Sequence, residues 1–217
     1  MTQMDLSRLH FPITTLGPGR RVGIWFQGCS IRCPGCISAD TWRAGVGKVD
    51  VESVAAAASP WLVEADGVTI SGGEPFDQPE ALGLLLRLLR QSFDGDVLVY
   101  SGYPIEALCG PLVAMAGLID AIITDPYDAT AEQTRSLRGS DNQRLHLLTE
   151  VGKRRFESYV DQPFERSFDL MIDPSGEVWM AGIPGREDFA RLSALHGSFQ
   201  SLKTTQDASS LRQNNQP

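Results

Sequence analysis

Three of the four cysteines in the chain lie in one short stretch, GCSIRCPGC. They are Cys29, Cys33 and Cys36, separated by three residues and then by two. A structural zinc site usually takes four ligands, often in pairs two residues apart, and the three histidines show no ligand spacing. A thioredoxin-type dithiol would use Cys33 and Cys36 and leave Cys29 without a role. A third interpretation is a four-iron cluster, in which three thiolates leave one iron open. Simple buried thiols fit poorly with a loop of glycine and proline. The spacing alone does not decide among these alternatives.

A second motif, TISGGEP, contains two adjacent glycines followed by an acid. Gly72 and Gly73 would let the backbone approach a ligand closely, because glycine has no Cβ. The carboxylate of Glu74 could then meet an ammonium group. The alternative interpretation is a glycine turn that ends at Pro75.

Apolar strand-like runs alternate with helix-like runs along most of the chain. RVGIWFQG, GVTISGG, DVLVYSGY and LIDAIITDPY are typical of strands, and QRLHLLT is a possible fifth. VDVESVAAAASPWLVEA and QPEALGLLLRLLRQSF are typical of helices. This alternation predicts βαβ units and a parallel sheet, in which ligands bind beyond the carboxyl ends of the strands. The cysteines and the glycine motif follow such ends, so we expect them to converge in space.

The fourth cysteine and the end of the chain are interpreted separately. Cys109 lies within a predicted helix that is broken near Pro111, and we expect a buried thiol there rather than a fourth ligand. FDLMIDPSGEVWMAGIP predicts a hairpin, GREDFARLSALHG a short helix, and the polar end a disordered tail. The predicted organisation is a core over residues 1–150, a hairpin and helix extension over 151–200, and a tail over 201–217.

Composition narrows the class of protein. The chain has 217 residues, 42% of them hydrophobic, and a formal net charge of −8. This length can bury a core without disulfides. An acidic surface repels phosphates, so no nucleic-acid partner is expected. No apolar run approaches about 18 residues, which predicts no membrane span, and the first residues do not resemble a signal peptide. We therefore expect a cytoplasmic protein.

Together the two motifs resemble those of the radical S-adenosylmethionine family, with a Cys-x3-Cys-x2-Cys loop after the first strand and Gly-Gly-Glu after the second. The blocks GPGRRVGIWFQGCSIRCPGC, SGGEPF, VLVYSGY, IITDPY and LRGSDNQRL are similar to successive blocks of the activating proteins of anaerobic ribonucleotide reductase. This resemblance covers about residues 15–150 and is highly specific as a combination.

The resemblance implies a partial (β/α) TIM-like barrel of the radical S-adenosylmethionine type, with the hairpin and helix as a C-terminal extension. It implies one 4Fe-4S cluster on Cys29, Cys33 and Cys36, with an open iron that binds S-adenosylmethionine. Reductive cleavage would then give a 5′-deoxyadenosyl radical, so these cysteines are the catalytic residues. The positions that it assigns to binding S-adenosylmethionine are Gly35, Ile37, Gly72, Gly73, Glu74, Ser101, Asp125 and Arg144.

The resemblance also implies partners. The expected protein substrate is a glycyl radical enzyme such as anaerobic ribonucleotide reductase, and the expected one-electron donor is a flavodoxin or a ferredoxin. Two alternatives stay open. The enzyme could modify a different protein or peptide, since the extension lies outside the resemblance. It could also be a non-catalytic iron–sulfur electron carrier or redox sensor, although the Gly-Gly-Glu motif argues against a carrier.

Overall fold

The computed structural model describes residues 1–165, 167–172, 178–185 and 188. The Pro-Ser-Gly turn predicted for the hairpin, nearly all of the predicted short helix and the predicted disordered tail lie outside the described residues. Within them, no helix is long and apolar enough to cross a membrane.

Helices and strands alternate over residues 51–124, as the sequence predicts, and further strands precede and follow this part. In order they are β1 (Gln3–Ile13), β2 (Arg21–Phe26), β3 (Lys48–Asp50), α1 (Val51–Leu62), β4 (Gly67–Gly72), α2 (Pro79–Arg90), β5 (Asp96–Tyr100), α3 (Cys109–Ala114), β6 (Ala121–Thr124), β7 (Arg144–Leu147), α4 (Glu150–Phe156), β8 (Ser167–Ile172) and β9 (Val178–Ile183).

Seven of the strands form one sheet, in the order β3-β1-β2-β4-β5-β6-β7. The central strands β2, β4, β5 and β6 are parallel. The flanking strands β1, β3 and β7 run antiparallel to their neighbours. The α/β class and the parallel centre are thus confirmed. In the described part of the chain β3 and β7 are the two edges, so the sheet is open.

The two faces of the sheet bury different layers, because side chains alternate along each strand. Val97 and Val99 of β5 pack with α1 and α2, whereas Leu98 between them packs with Phe156 of α4. On β2, Trp25 faces away from α1 and α2 and packs against the β8–β9 hairpin. The helices α1 and α2 therefore cover one face, and α4 with the hairpin covers the other.

Polar and aromatic contacts fasten this hairpin to the sheet. The carboxylate of Asp169 on β8 accepts hydrogen bonds from Thr14 N at 2.7 Å and from Thr15 Oγ1 at 3.0 Å. On β9, the ring of Trp179 meets Trp25 edge-on, with ring centroids 5.5 Å apart, and meets His10 in the same way at 4.9 Å. The extension thus packs on β1 and β2 through specific contacts.

A buried ion pair joins the amino-terminal ends of the parallel strands β2 and β5. Arg21 opens β2 and Asp96 opens β5, and both side chains are fully buried, with Nη2 and Oδ1 2.5 Å apart. Arg21 also donates to Thr69 Oγ1, and Arg155 of α4 donates to the second oxygen of Asp96 at 2.9 Å. Each charge therefore has several partners, which a buried ion pair requires.

Candidate active site

The predicted motifs meet at one edge of the sheet. The cysteine loop follows β2, the Gly-Gly-Glu motif closes β4, Ser101 follows β5 and Asp125 follows β6. Parallel strands all present their carboxyl ends at the same edge, which is where α/β proteins bind ligands. Because β7 is antiparallel, its first residue, Arg144, pairs with Thr124 and lies at this edge as well.

The cysteine loop turns tightly around its three thiols. Gly28 has φ +93° and Gly35 has φ +77°, backbone conformations that glycine adopts without strain. The amide of Cys36 donates to the carbonyl of Cys33 at 3.1 Å, which closes a turn between these two cysteines. The thiols of Cys29, Cys33 and Cys36 are all free and half-buried. The loop therefore gathers three sulfur ligands on one short segment.

Burial makes the three thiols poor acids in isolation. It raises the pKa of Cys29 and of Cys33, and it raises the pKa of Cys36, the most deeply buried of them, to about 11. The negative charge of the Cys29 thiolate further raises the pKa of Cys33 and of Cys36, and the charge of Glu74 raises the pKa of Cys29 and of Cys33. Three thiolates at this spacing need a positive centre beside them, which a metal cluster supplies.

Each thiol also receives backbone N–H groups that favour its thiolate form. The donors are the amides of Ile31 and Arg32 at Cys29, of Tyr127 at Cys33 and of Ser38 at Cys36. Hydrogen bonds of this kind to ligand sulfurs stabilise iron–sulfur clusters and tune their potentials. Three soft thiolates with oriented N–H donors thus fit such a cluster. Among the described residues, no group of three Cys, His, Asp or Glu side chains is arranged so that it could hold a single metal ion.

Backbone hydrogen bonds fasten the start of the cysteine loop on two sides. The amide of Gly28 donates to Thr41 O at 2.7 Å, and the amide of Cys29 donates to Trp42 O at 3.2 Å. The carbonyl of Gly28 accepts from Glu74 N at 2.8 Å. The loop is therefore tied both to the segment that follows it and to the Gly-Gly-Glu motif.

A polar cluster that the sequence analysis missed adds a third tie. The amide and the hydroxyl of Ser30 donate to the carboxylate of Asp77, at 2.7 and 2.9 Å. The hydroxyl of Tyr103 donates to the same carboxylate at 2.8 Å. The loop after β2 is thus joined to the turns after β4 and β5. The available signal was that Asp77 lies three residues after Glu74 in GGEPFD.

The two glycines of the motif pack against protein backbone. Gly72 has φ +100°, and a Cβ there would lie 2.5 Å from Phe26 O. A Cβ on Gly73 would lie 2.0 Å from Gly28 O. The Gly73 amide donates to Phe26 O at 2.8 Å. The close approach that these glycines permit is therefore between the ends of β4 and β2.

Glu74 lies at the centre of the edge and is 1% exposed. Its Oε1 accepts from Phe76 N and from the Ser101 hydroxyl, both at 2.9 Å, and its Oε2 accepts from Gly102 N at 2.8 Å. Burial raises the pKa of Glu74 to about 7, although these three hydrogen bonds lower it. Ser101, which is 5% exposed, thus donates its hydroxyl hydrogen bond to Glu74. The carboxylate joins the loops after β4 and β5, and burial disfavours its charged form.

Asp125 and Arg144 pair with each other at the rim after β6. Arg144 Nε donates to Asp125 Oδ2 at 2.7 Å, and its terminal nitrogens donate to both oxygens of Glu106, at 2.8 and 2.9 Å. Burial would raise the pKa of Asp125, but hydrogen bonds from Arg144 and Thr124 outweigh it, so that this pKa lies below its ordinary value. Asp125 also has φ +80°, a strained conformation of the kind that clusters at functional sites.

The last two predicted positions flank the third cysteine. Gly35 is exposed, and a Cβ there would make ordinary contacts with Tyr127 and Ala129, at 3.5 and 3.6 Å. Its positive φ, and not crowding, is therefore what requires glycine. Ile37 is half-buried.

The prediction that Cys109 is a buried thiol is wrong, because its side chain is exposed. Helix α3 contains no buried residue, and the thiol contacts Ile105 O of the preceding turn at 3.7 Å. The apolar letters around Cys109 suggested a core helix, but this short helix lies on the surface.

Comparison with known proteins gives two kinds of match. A family model described as a 4Fe-4S single cluster domain matches residues 15–146. The anaerobic ribonucleoside-triphosphate reductase-activating protein of Enterobacteria phage T4 is 31% identical over 62% of this chain and 88% of its own length. The protein of the same name from Salmonella typhi is 27% identical over 64% of this chain and 96% of its own length.

A relative named for a different target matches as well. The pyruvate formate-lyase-activating enzyme of Clostridium pasteurianum is 36% identical over 66% of this chain and 56% of its own length. The matched family model ends at residue 146, close to the boundary that the sequence predicted near residue 150. The β8–β9 hairpin lies beyond it.

Proposed function

Since this chain belongs to the radical S-adenosylmethionine activating proteins and carries their 4Fe-4S single cluster domain, we propose that it cleaves S-adenosylmethionine reductively and generates a glycyl radical on a protein partner. The observation that carries this proposal is the cysteine loop. Its three half-buried thiols receive backbone N–H groups and lie at the sheet edge where the Gly-Gly-Glu motif closes β4.

Cys29, Cys33 and Cys36 are proposed to hold the cluster. When bound, such a cluster supplies one electron and an open iron for the amino and carboxylate groups of S-adenosylmethionine. The protein's own contribution is to fix the three sulfurs. The hydrogen bonds from Gly28 and Cys29 to the segment at Thr41 and Trp42 hold the loop in place.

The surrounding residues are proposed to bind S-adenosylmethionine. Glu74, Gly72 and Gly73 would face its methionyl end. Burial raises the pKa of Glu74 to about 7, and an ammonium group bound beside it would favour the charged carboxylate. Ser101 orients that carboxylate through its 2.9 Å hydrogen bond. The remaining positions proposed to contact the cofactor are Gly35, Ile37, Asp125 and Arg144.

The open sheet supports the finer proposal of a partial barrel of the radical S-adenosylmethionine type. Four parallel strands end at the site, and the described strands leave two free edges. An open side suits a macromolecular substrate, because a glycine on a large partner has to reach the adenosyl carbon.

We propose anaerobic ribonucleotide reductase as the target, because relatives named for its activation match over most of their own length. The reaction would take place in the cytoplasm, with a flavodoxin or a ferredoxin as electron donor. A different protein or peptide is the second candidate. The observation that favours it is the hairpin, which packs on β1 and β2 and lies beyond the matched family region.

Electron paramagnetic resonance of the target tests this function. The cluster-loaded protein is reduced anaerobically and incubated with S-adenosylmethionine and the anaerobic reductase of the same organism. We expect the doublet of a glycyl radical, and no doublet when the radical-bearing glycine of the reductase is replaced by alanine. S-adenosylmethionine cleavage without a reductase radical would favour the second candidate. No cleavage would favour an electron carrier.

A further inference from the structure

Trp42 follows the cysteine loop and is anchored to it. The short 3-10 turn Ala39–Thr41 begins three residues after Cys36, and Trp42 comes directly after that turn. The Trp42 carbonyl accepts the amide of Cys29 at 3.2 Å. This hydrogen bond therefore ties the backbone of the tryptophan to the first of the three cysteines.

The indole nitrogen of Trp42 is buried and has no hydrogen-bond partner among the described residues. It lies beside the sulfur of Cys36. Most buried donors in proteins have a partner, so a buried and unpaired indole N–H beside a ligand sulfur needs an explanation. A thiolate sulfur that carries negative charge is a better acceptor than the neutral thiol.

We propose that Trp42 is a positioning residue whose indole N–H donates a hydrogen bond to the Cys36 sulfur when that sulfur ligates the cluster. This inference rests on the proposed function only in that the three cysteines hold a cluster. Reduction adds negative charge to the cluster and its sulfurs, so a donor stabilises the reduced state more than the oxidised state. Trp42 thus raises the reduction potential and eases the electron uptake that precedes cleavage of S-adenosylmethionine.

The first test is a redox titration of the cluster-loaded protein without S-adenosylmethionine or target, followed by electron paramagnetic resonance. In Trp42→Phe the ring stays and the donor is lost. We expect the ratio of reduced to oxidised cluster at a fixed potential to fall about tenfold, a midpoint shift of about −59 mV for one electron. The control is Trp61→Phe, because Trp61 lies on helix α1, away from the loop, and stacks on Phe11 of β1. It should leave the midpoint unchanged.

A second measurement uses the unaltered sequence and does not depend on the variant loading a cluster. The protein is grown with ¹⁵N-indole tryptophan, reduced, and examined by pulsed electron paramagnetic resonance. We expect a hyperfine coupling from one indole nitrogen. A cluster-loaded protein without such a coupling, or a Trp42→Phe midpoint equal to that of Trp61→Phe, would overturn the inference. Either result would leave the proposed function intact, whereas failure to load a four-iron cluster would refute both.

Discussion

Replacing Gly73 by alanine should loosen the cysteine loop and the Gly-Gly-Glu turn together. The new Cβ would lie 2.0 Å from Gly28 O and 2.7 Å from Gly28 C. Both are backbone atoms, so no side-chain rotation relieves the contact. The ends of β4 and β2 would have to separate, and Gly28 is the residue that precedes the first cysteine.

The loss in the free energy of unfolding follows from the hydrogen bonds that break when the ends of β4 and β2 separate. The hydrogen bonds from Gly73 N to Phe26 O and from Glu74 N to Gly28 O are both 2.8 Å long and contribute about 1 kcal/mol each. Overpacking of a close contact costs about 1–3 kcal/mol. If strain and lost bonds overlap in part, the free energy of unfolding falls by about 3 kcal/mol. For a chain of this size the Tm should drop by about 6–12 °C.

Thermal unfolding followed by circular dichroism measures this change, and the iron content after anaerobic reconstitution reports on the loop. The matched control is Gly110→Ala in helix α3, where a Cβ meets nothing within 4 Å. That variant should unfold at the same temperature or slightly higher, because alanine favours helix. If Gly73→Ala unfolded at the wild-type temperature and bound as much iron, the close packing of Gly73 against the Gly28 carbonyl would be refuted.

Two further predictions concern the carboxylate and the hairpin. Because burial raises the pKa of Glu74 from 4.5 to about 7, the native state binds this proton more tightly, and stability on the order of 3 kcal/mol is lost as the pH rises from about 4.5 through 7. Urea unfolding measures the free energy of unfolding at pH 5 and at pH 8, and the loss between the two should be smaller in Glu74→Gln than in the wild type. An equal loss in both proteins would contradict a raised pKa at Glu74. Trp179→Ala removes edge-on contacts to Trp25 and His10 and should cost about 2 kcal/mol, with faster proteolysis within the hairpin than in Trp61→Ala. Equal cleavage rates would show that the hairpin does not depend on these contacts.

The parallel centre of the fold could be predicted because its signals are local. Buried strands of continuous apolar residues, such as AIIT in β6, alternate with helices whose leucines recur at helical spacing. The cysteine loop and the Gly-Gly-Glu motif each follow the carboxyl end of a predicted parallel strand. Their proximity could therefore be predicted without any knowledge of contacts.

Strand β1 was missed because an irregularity hides its alternation. Met4 and Leu6 pack towards the α1–α2 layer, and further along Leu9 and Phe11 do the same, so the apolar positions change parity. The pairing with β2 shifts register between Leu6 and Arg8, which accounts for the change. A strict period of two does not detect such a strand.

The partners of the site residues could not be predicted because they are set by tertiary contacts. Glu74 was expected to face a ligand, and nothing in SGGEPF shows that Ser101 and Gly102 would hold its oxygens. Arg144 and Asp125 were predicted separately, and their ion pair depends on the antiparallel pairing of β7 with β6. Sequence patterns predict which residues reach an edge, whereas hydrogen-bond partners require the packed loops.

We propose that this chain uses a cluster on Cys29, Cys33 and Cys36 to cleave S-adenosylmethionine. The most direct test is anaerobic: reconstitute and reduce the cluster, add S-adenosylmethionine with the target reductase, and measure 5′-deoxyadenosine. The matched control is Cys109→Ala, which removes the exposed thiol outside the loop. We expect product from the wild type and from Cys109→Ala, and none from Cys33→Ala. Product from Cys33→Ala at the wild-type rate, or none from a fully loaded and reduced wild type, would contradict the proposed function.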